Sequence, residues 1–383
     1  MLRAALSFGT TLSGVAAQHV SSTISAHIVP ALSENHWEKT MSDYVRNLWY
    51  LGAWDHEVPE GGMLSRTLLD EKWLIASLSD GTYAMLADRC PHRFVPLSKG
   101  RLEQDVIHCP YHGLGFDRTG ACVHNPFPAP PPAHARARTM PVVHRHRGLW
   151  FWPGDPDQAD PASIPDFAFV DREDMQRSRL VIQGHYELVT DNLMDLTHAE
   201  FLHVASFGVN GSIFSGRQSV VTDESGAIWN NWDMEAVTPP MWAAPMLGEG
   251  DRVDQWLHMR WHAPAAMALA VGLARAGTGR KDMVVPQMLN PHIITPETRT
   301  SSHYFYDHEA TPEAEALARQ VFVEEDEPMI EAAQQALGEQ DFWAARPAIL
   351  ETDAAAIRAR RRLMQLRRAE AGAEEKGILA EAG

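Results

Sequence analysis

Cys90-Pro91-His92 and Cys109-Pro110-Tyr111-His112, sixteen residues apart, each offer one thiolate and one imidazole from a short segment. Brought together, the halves supply two sulfur and two nitrogen ligands. That set suits a 2Fe–2S centre in which two His replace two Cys on one iron. Charge explains the mixture. Two ferric ions, two sulfides and two thiolates sum to zero, so the added electron makes only a single negative charge. Neutral imidazoles then raise the reduction potential above that of an all-thiolate cluster. A set of two Cys and two His also makes a structural zinc site. Zinc sites, however, usually keep like ligands together, whereas each half here pairs unlike ones. Cys122 lies outside the pattern and reads as a small buried hydrophobe.

A second group is Asp195-Leu196-Thr197-His198, then four residues, then His203. Two His and one carboxylate with open positions make the facial triad of non-haem Fe(II) oxygenases. On a regular α-helix His198 and His203 stand about 140° apart, too far round to share a metal. A helix break or a π-type turn is therefore expected between them. Asp195 and His198, three apart, face the same way. The bland alternative is two ordinary histidines on a buried helix. The third ligand must be distant in sequence, and the acidic run Glu324-Glu325-Asp326-Glu327 lies about 120 residues later. Spacing leaves Asp326 and Glu325 both open, and a solvated acidic face suits their neighbours.

These residues need a scaffold. From 44 to about 153, short apolar or alternating runs at 73–78, 83–87, 106–108 and 149–152 alternate with turn signals such as Ser79-Asp80-Gly81, which reads as β structure. Residues 125–132 are proline-rich and read as an extended loop. A linker follows at 154–166. Residues 179–189 resemble a strand and 191–204 a helix; 220–306 mix strands and loops. From Thr311 the pattern is helical, with Pro312 at a helix start. The chain has 383 residues, enough for more than one domain. The net charge of −17 argues against nucleic acid or anionic lipid as the main partner. No apolar run reaches the roughly 18 residues of a membrane span. Three cysteines are too few for a disulfide framework and point to a reducing compartment. Residues 1–40 are rich in Ala, Ser and Thr, and a signal-peptide reading of 2–17 is broken by Ser7, Gly9, Thr10, Thr11, Ser13 and Gly14. The expectation is that Met41 starts the folded protein and that 1–40 is a disordered or misassigned extension.

The two cluster segments, extended to Cys90-Pro91-His92-Arg93-Phe94-Val95-Pro96-Leu97-Ser98 and Cys109-Pro110-Tyr111-His112-Gly113-Leu114-Gly115-Phe116-Asp117, resemble the cluster loops of Rieske non-haem iron oxygenases. The similarity continues through Arg46-Asn47-Leu48-Trp49-Tyr50, Trp150-Phe151-Trp152-Pro153-Gly154-Asp155 and Asn192-Leu193-Met194-Asp195-Leu196-Thr197-His198. It runs from Met41 to about Glu351 and is closest to the vanillate and dicamba O-demethylase branch. The resemblance implies an α+β protein. An all-β Rieske domain at 41–155 precedes a catalytic domain at 156–355 with a central antiparallel sheet, and a C-terminal helix and tail follow at 356–383. It implies a 2Fe–2S cluster on Cys90, His92, Cys109 and His112, and a mononuclear Fe(II) on His198, His203 and Asp326. Asp195 becomes a link from His198 to His112 of a neighbouring subunit in a homotrimer, and Asn192 a residue facing the iron.

Around the iron, residues 241–273 carry Trp242, Met246, Trp256, Met259, Trp261, Met267 and Leu269, walls that suit an aromatic substrate and equally a plain core. The resemblance turns His292 towards this pocket, where it would bind a substrate carboxylate or hydroxyl. Arg358, Arg360, Arg361, Arg362, Arg367 and Arg368 read as a solvated helix face, with a subunit or reductase contact as second reading. No Gly-rich nucleotide motif is present, so NADH electrons are expected through a separate reductase or ferredoxin. The expected function is the terminal oxygenase of a cytoplasmic multicomponent monooxygenase, using O2 to demethylate a methoxylated aromatic acid such as vanillate with release of formaldehyde. Ring or methyl hydroxylation is the same-class alternative. An electron carrier or a zinc-stabilised binding module is the different-class one.

Overall fold

The first ten strands are short and antiparallel: β1 (Tyr50–Trp54), β2 (Met63–Leu68), β3 (Glu71–Ser77), β4 (Tyr83–Ala87), β5 (Arg101–Glu103), β6 (Val106–His108), β7 (Gly115–Phe116), β8 (Cys122–His124), β9 (Val142–Arg145) and β10 (Gly148–Phe151). The structure is a computed structural model and describes residues 43–131 and 133–381. The expectations for residues 1–40 and for a start at Met41 lie outside the described residues. The strands form three sheets, ordered β1-β10-β9, β2-β3-β4 and β5-β6-β7-β8. Turn chemistry sets the register. Between β3 and β4, Gly81 takes φ +79° and Asp80 accepts the Thr82 N–H at 3.0 Å. Cys122 is half-buried on β8 rather than buried.

The second part is built on one seven-stranded antiparallel sheet: β11 (Met175–Ile182), β12 (Arg217–Thr222), β13 (Ile228–Val237), β14 (Val253–His262), β15 (Ala266–Arg275), β16 (Met283–Thr298) and β17 (Ser301–Glu309). β12 to β17 follow one another as a meander, and β11 joins at the far edge beside β17. The helices are α1 (Tyr186–Met194), α2 (Pro312–Arg319), α3 (Glu327–Leu337) and α4 (Ala354–Glu381), with a π-helix, Gln320–Asp326, fused between α2 and α3. Thr311 caps α2 through the Ala314 N–H at 3.2 Å. The molecule is thus α+β, with a β half, a central antiparallel sheet and C-terminal helices. No helix among the described residues is long and apolar enough to cross a membrane.

Aromatic burial joins the two parts. Trp49, Trp54, Trp150, Trp152, Phe167 and Phe305 share one buried cluster, and each such side chain contributes roughly 1.5–3 kcal/mol on leaving water. Trp54 donates from Nε1 to the Ser178 carbonyl at 2.9 Å, and Thr295 donates to the Leu51 carbonyl at 2.7 Å.

Three local expectations need correction. The strand ends at Ile182, and α1 takes up Tyr186–Val189, because Gly184 and the His185 cap, which accepts the Glu187 N–H at 3.3 Å, start a helix there. That helix stops at Met194 instead of running to 204, since the Asp195 side chain accepts the Thr197 N–H at 3.0 Å and opens the 3-10 turn Leu196–Glu200. The break expected between His198 and His203 is found, since the 3-10 turn ends at Glu200, and the π turn of this chain lies at Gln320–Asp326. In the arginine run, Arg360 is buried and Arg367 faces Glu187, so that face of α4 is not simply solvated.

Candidate metal centres

The two Cys loops are copies of one backbone pattern. Cys90 N–H donates to the Val95 carbonyl at 2.9 Å and Phe94 N–H to the Cys90 carbonyl at 2.9 Å. Cys109 N–H donates to the Leu114 carbonyl at 2.8 Å and Gly113 N–H to the Cys109 carbonyl at 3.1 Å. The fifth residue of each loop has a positive φ: +63° at Phe94 and +74° at Gly113. Glycine suits that geometry, whereas Phe94 holds it at a cost. Buried Asp88 braces the first loop by accepting from Ser98 N and Oγ, both at 2.7 Å, and from Ser65 Oγ at 2.6 Å.

Cys90 and Cys109 are buried side by side. Burial, and then the neighbouring Cys109 thiol, push the Cys90 thiol up to about 11 against the pull of backbone N–H groups. The His92 and His112 rings lie 4.7 Å apart between centroids. His112 Nδ1 is buried with no hydrogen-bond partner among the described residues, an orphan in a site that should offer it one. The loops therefore set the two sequence-predicted thiols beside each other and the two imidazoles beside each other.

The second group assembles from α1, the turn after it and the π-helix. His198 Nε2 and His203 Nε2 are 3.1 Å apart. Asp326 Oδ1 lies 3.5 Å from the first and 3.4 Å from the second. His203 and Asp326 are buried, and His198 is half-buried. The 3-10 turn lets the chain bring His198 and His203 to one point where a regular helix would not.

Each ring is held from behind. His198 Nδ1 bonds the main-chain carbonyl of Asp195, and His203 Nδ1 lies 2.7 Å from Glu325 Oε2. Burial alone would lower the His203 pKa, but Asp326 and Glu325 outweigh it and hold it above the ordinary value. Asp195 itself points its carboxylate at Thr197, accepting the backbone N–H at 3.0 Å and the hydroxyl at 2.6 Å. Asn192 donates from Nδ2 to Asp326 Oδ1 at 3.2 Å, while its own Oδ1 is buried without a partner among the described residues. Of the two acids left open by spacing, Asp326 turns to the shared side of the histidines and Glu325 to the back of His203.

His292, on β16, is buried, and burial takes its pKa down to about 4 against the pull of nearby Asp326. Its Nδ1 lies 2.5 Å from the Tyr304 hydroxyl and its Nε2 has no partner among the described residues. Phe322, on the π-helix, packs 5.8 Å from the His292 ring. Leu269 on β15 and Trp242 in the 3-10 turn Met241–Met246 are half-buried against the main core, and Trp242 stacks on Phe207 at 5.6 Å. Sequence reasoning missed Ser206, Gln320 and Tyr304. Ser206, three residues after His203, was the one faint signal.

Known proteins fit this geometry. Residues 48–142 match the Rieske [2Fe-2S] domain family, and residues 182–369 match the vanillate O-demethylase oxygenase C-terminal domain family. The dicamba O-demethylase oxygenase component of Stenotrophomonas maltophilia is 38% identical over 86% of this chain and 99% of its own length. A vanillate O-demethylase oxygenase subunit from a Pseudomonas species is 32% identical over 81% and 98%. The crystal structure of dicamba monooxygenase with non-haem iron and dicamba superposes with a TM-score of 0.73 at 34% identity, covering 86% of this chain and 99% of that one. With two distinct ligand sets in one chain and relatives matched over nearly their full length, the chain belongs to the family of Rieske-type O-demethylase oxygenase components, iron–sulfur and non-haem iron monooxygenases.

Proposed function

We propose that this chain is the terminal oxygenase of an O2- and NADH-dependent system that demethylates a methoxylated aromatic acid such as vanillate. The observation that carries the reading is the meeting of His198 Nε2, His203 Nε2 and Asp326 Oδ1 within 3.1–3.5 Å in a chain that also gathers two thiols and two imidazoles. A main-chain carbonyl only accepts, so His198 carries its proton on Nδ1, and the Glu325 carboxylate asks the same of His203. Both Nε2 lone pairs then face each other and a carboxylate oxygen. That arrangement is repulsive when empty and suited to a cation. Fe(II) matches the donor set, with His198, His203 and Asp326 as ligands. Cys90 and Cys109 would hold one iron of the 2Fe–2S cluster, and His92 and His112 the other. When bound, the two centres supply single-electron transfer and dioxygen chemistry.

The chain's own residues set what reacts. His292 is neutral at physiological pH, and its free Nε2 gives a substrate carboxylate or hydroxyl a fixed partner. Leu269 and Trp242, half-buried against the core, would wall the ring in this reading. Asn192 steadies Asp326. The methoxy carbon gains a hydroxyl, and the resulting hemiacetal collapses to a phenol and formaldehyde.

The working unit in this reading is a homotrimer, in which Asp195 connects His198 to His112 of a neighbouring copy. Two exposed apolar patches support it. Phe94, Tyr111 and Phe127 stand out around the Cys loops, and Phe201, Val204 and Phe214 stand out beside the His203 turn, with the Phe201 and Phe214 rings 5.9 Å apart. Two different patches on one chain suit a head-to-tail contact, which closes into a ring where the rotation between copies allows it. Electrons would enter from a separate reductase or ferredoxin in the cytoplasm, and the chain would divide near 155–156. Purified protein, a surrogate reductase and a panel of methoxybenzoates test the function. One formaldehyde per NADH is expected with vanillate-like substrates. A new ring hydroxyl without formaldehyde would replace demethylation by ring hydroxylation.

A further inference from the structure

We infer that Glu325 is a positioning residue for the iron ligand His203, and that the π-helix Gln320–Asp326 serves to set two consecutive carboxylates on opposite nitrogens of that one imidazole. The inference rests on the metal-site reading above.

On a regular α-helix neighbouring side chains diverge by about 100°, and residues five apart stand about 140° apart. A π-helix closes its hydrogen bonds from i to i+5 and brings such residues onto one face. Gln320 and Glu325 are five apart, and Gln320 donates from Nε2 to Glu325 Oε1 at 3.0 Å. The Ser206 hydroxyl donates to Glu325 Oε2. Both oxygens are therefore engaged, and Oε2 is aimed at His203 Nδ1, 2.7 Å away. Asp326, the next residue, reaches round to the Nε2 side at 3.4 Å. A carboxylate held this way keeps the proton on Nδ1 and the lone pair of Nε2 on the metal side.

The two histidines are fixed by different means. His198 relies on the main-chain carbonyl of Asp195, which no substitution removes. His203 relies on the Glu325 side chain, which substitution can remove. The Glu325–Gln320–Ser206 set therefore controls one ligand without touching the other.

The experiment loads full-length protein, Rieske cluster in place, with Co2+ at the mononuclear site. It reads Co2+ affinity and the hyperfine-shifted exchangeable imidazole protons by NMR. Glu325→Ala is expected to bind Co2+ roughly 10–100-fold more weakly. It should lose one slowly exchanging imidazole proton and keep the other, with an unchanged cluster spectrum. Glu325→Gln, whose amide carbonyl still accepts from Nδ1, should fall between wild type and Glu325→Ala, and it decides the question if Glu325→Ala does not fold. Wild-type affinity with both protons retained in Glu325→Gln and Glu325→Ala would overturn the inference. So would loss of Co2+ as complete as in Asp326→Ala, which would make Glu325 a ligand. If Asp326→Ala and His203→Ala bind Co2+ like wild type, the metal-site reading itself falls, an outcome distinct from the others.

Discussion

Asp307 sits on β17 opposite Arg177 of β11, with Oδ1 buried and unpartnered among the described residues. Burial pushes its pKa up to about 7 from the ordinary 3.8, against the pull of Arg177 and Arg172 and with a push from Asp174. Its folded-state pKa is raised, so the unfolded chain gives up this proton first as pH rises. Stability should therefore fall as pH climbs from about 4 to about 7, with the full penalty present above that. Asp307→Asn is expected to melt higher than wild type at pH 8, by a margin that shrinks at pH 5. Equal margins at both pH values would contradict this. Nothing in the sequence flags Asp307, because its cost comes from what surrounds it. The metal residues were legible for the opposite reason. Cys90, His92, Cys109 and His112 declare themselves by type and spacing, as do His198 and His203. Asp326 and Glu325 do not, since two adjacent acids differ only in where a π turn points them.

At the scale of elements, the metal group depends on α1, and α1 depends on α4. Arg360 donates from Nε to both Asp191 oxygens at 2.9 Å and from Nη1 to Glu187 at 2.8 Å, and Arg367 reaches Glu187 and Tyr186. These bonds clamp the helix that carries Asn192 and leads into Asp195 and His198. Arg360→Ala leaves Asp191 without its partner and Glu187 with Arg367 alone, and should cost about 3–5 kcal/mol in urea unfolding. A cost under about 1 kcal/mol would mean that the clamp is a surface pair in effect. The sequence hid this clamp among six similar arginines, because Arg360 finds Glu187 173 positions away. Local signals did better. The runs at 83–87 and 106–108 appear as β4 and β6 at those bounds, since alternation and turn residues act within a few positions. The start of α1 was misplaced because Leu180-Val181-Ile182 and Leu188-Val189 look alike as apolar runs, and only Gly184 separates strand from helix.

At the scale of the whole molecule, the order of β half, mixed middle and helical end was readable from composition. The pairing of β11 with β17 was not, because the two strands are joined by no local turn. A head-to-tail ring predicts a native mass of about three times the 42.6 kDa chain in light scattering. Phe214→Asp, at the exposed patch beside the His203 turn, should give chains that keep both metal centres but no longer assemble. A wild-type monomer with full turnover would remove the ring from the account. The central claim is that two separate iron centres sit on the residues named. Iron and acid-labile sulfide content per chain tests it most directly. Wild type is predicted to hold about three irons and two sulfides, and Asp195→Asn the same, whereas Asp326→Ala should hold about two of each. Asp326→Ala with its third iron intact, or wild type with zinc and no sulfide, would contradict the account.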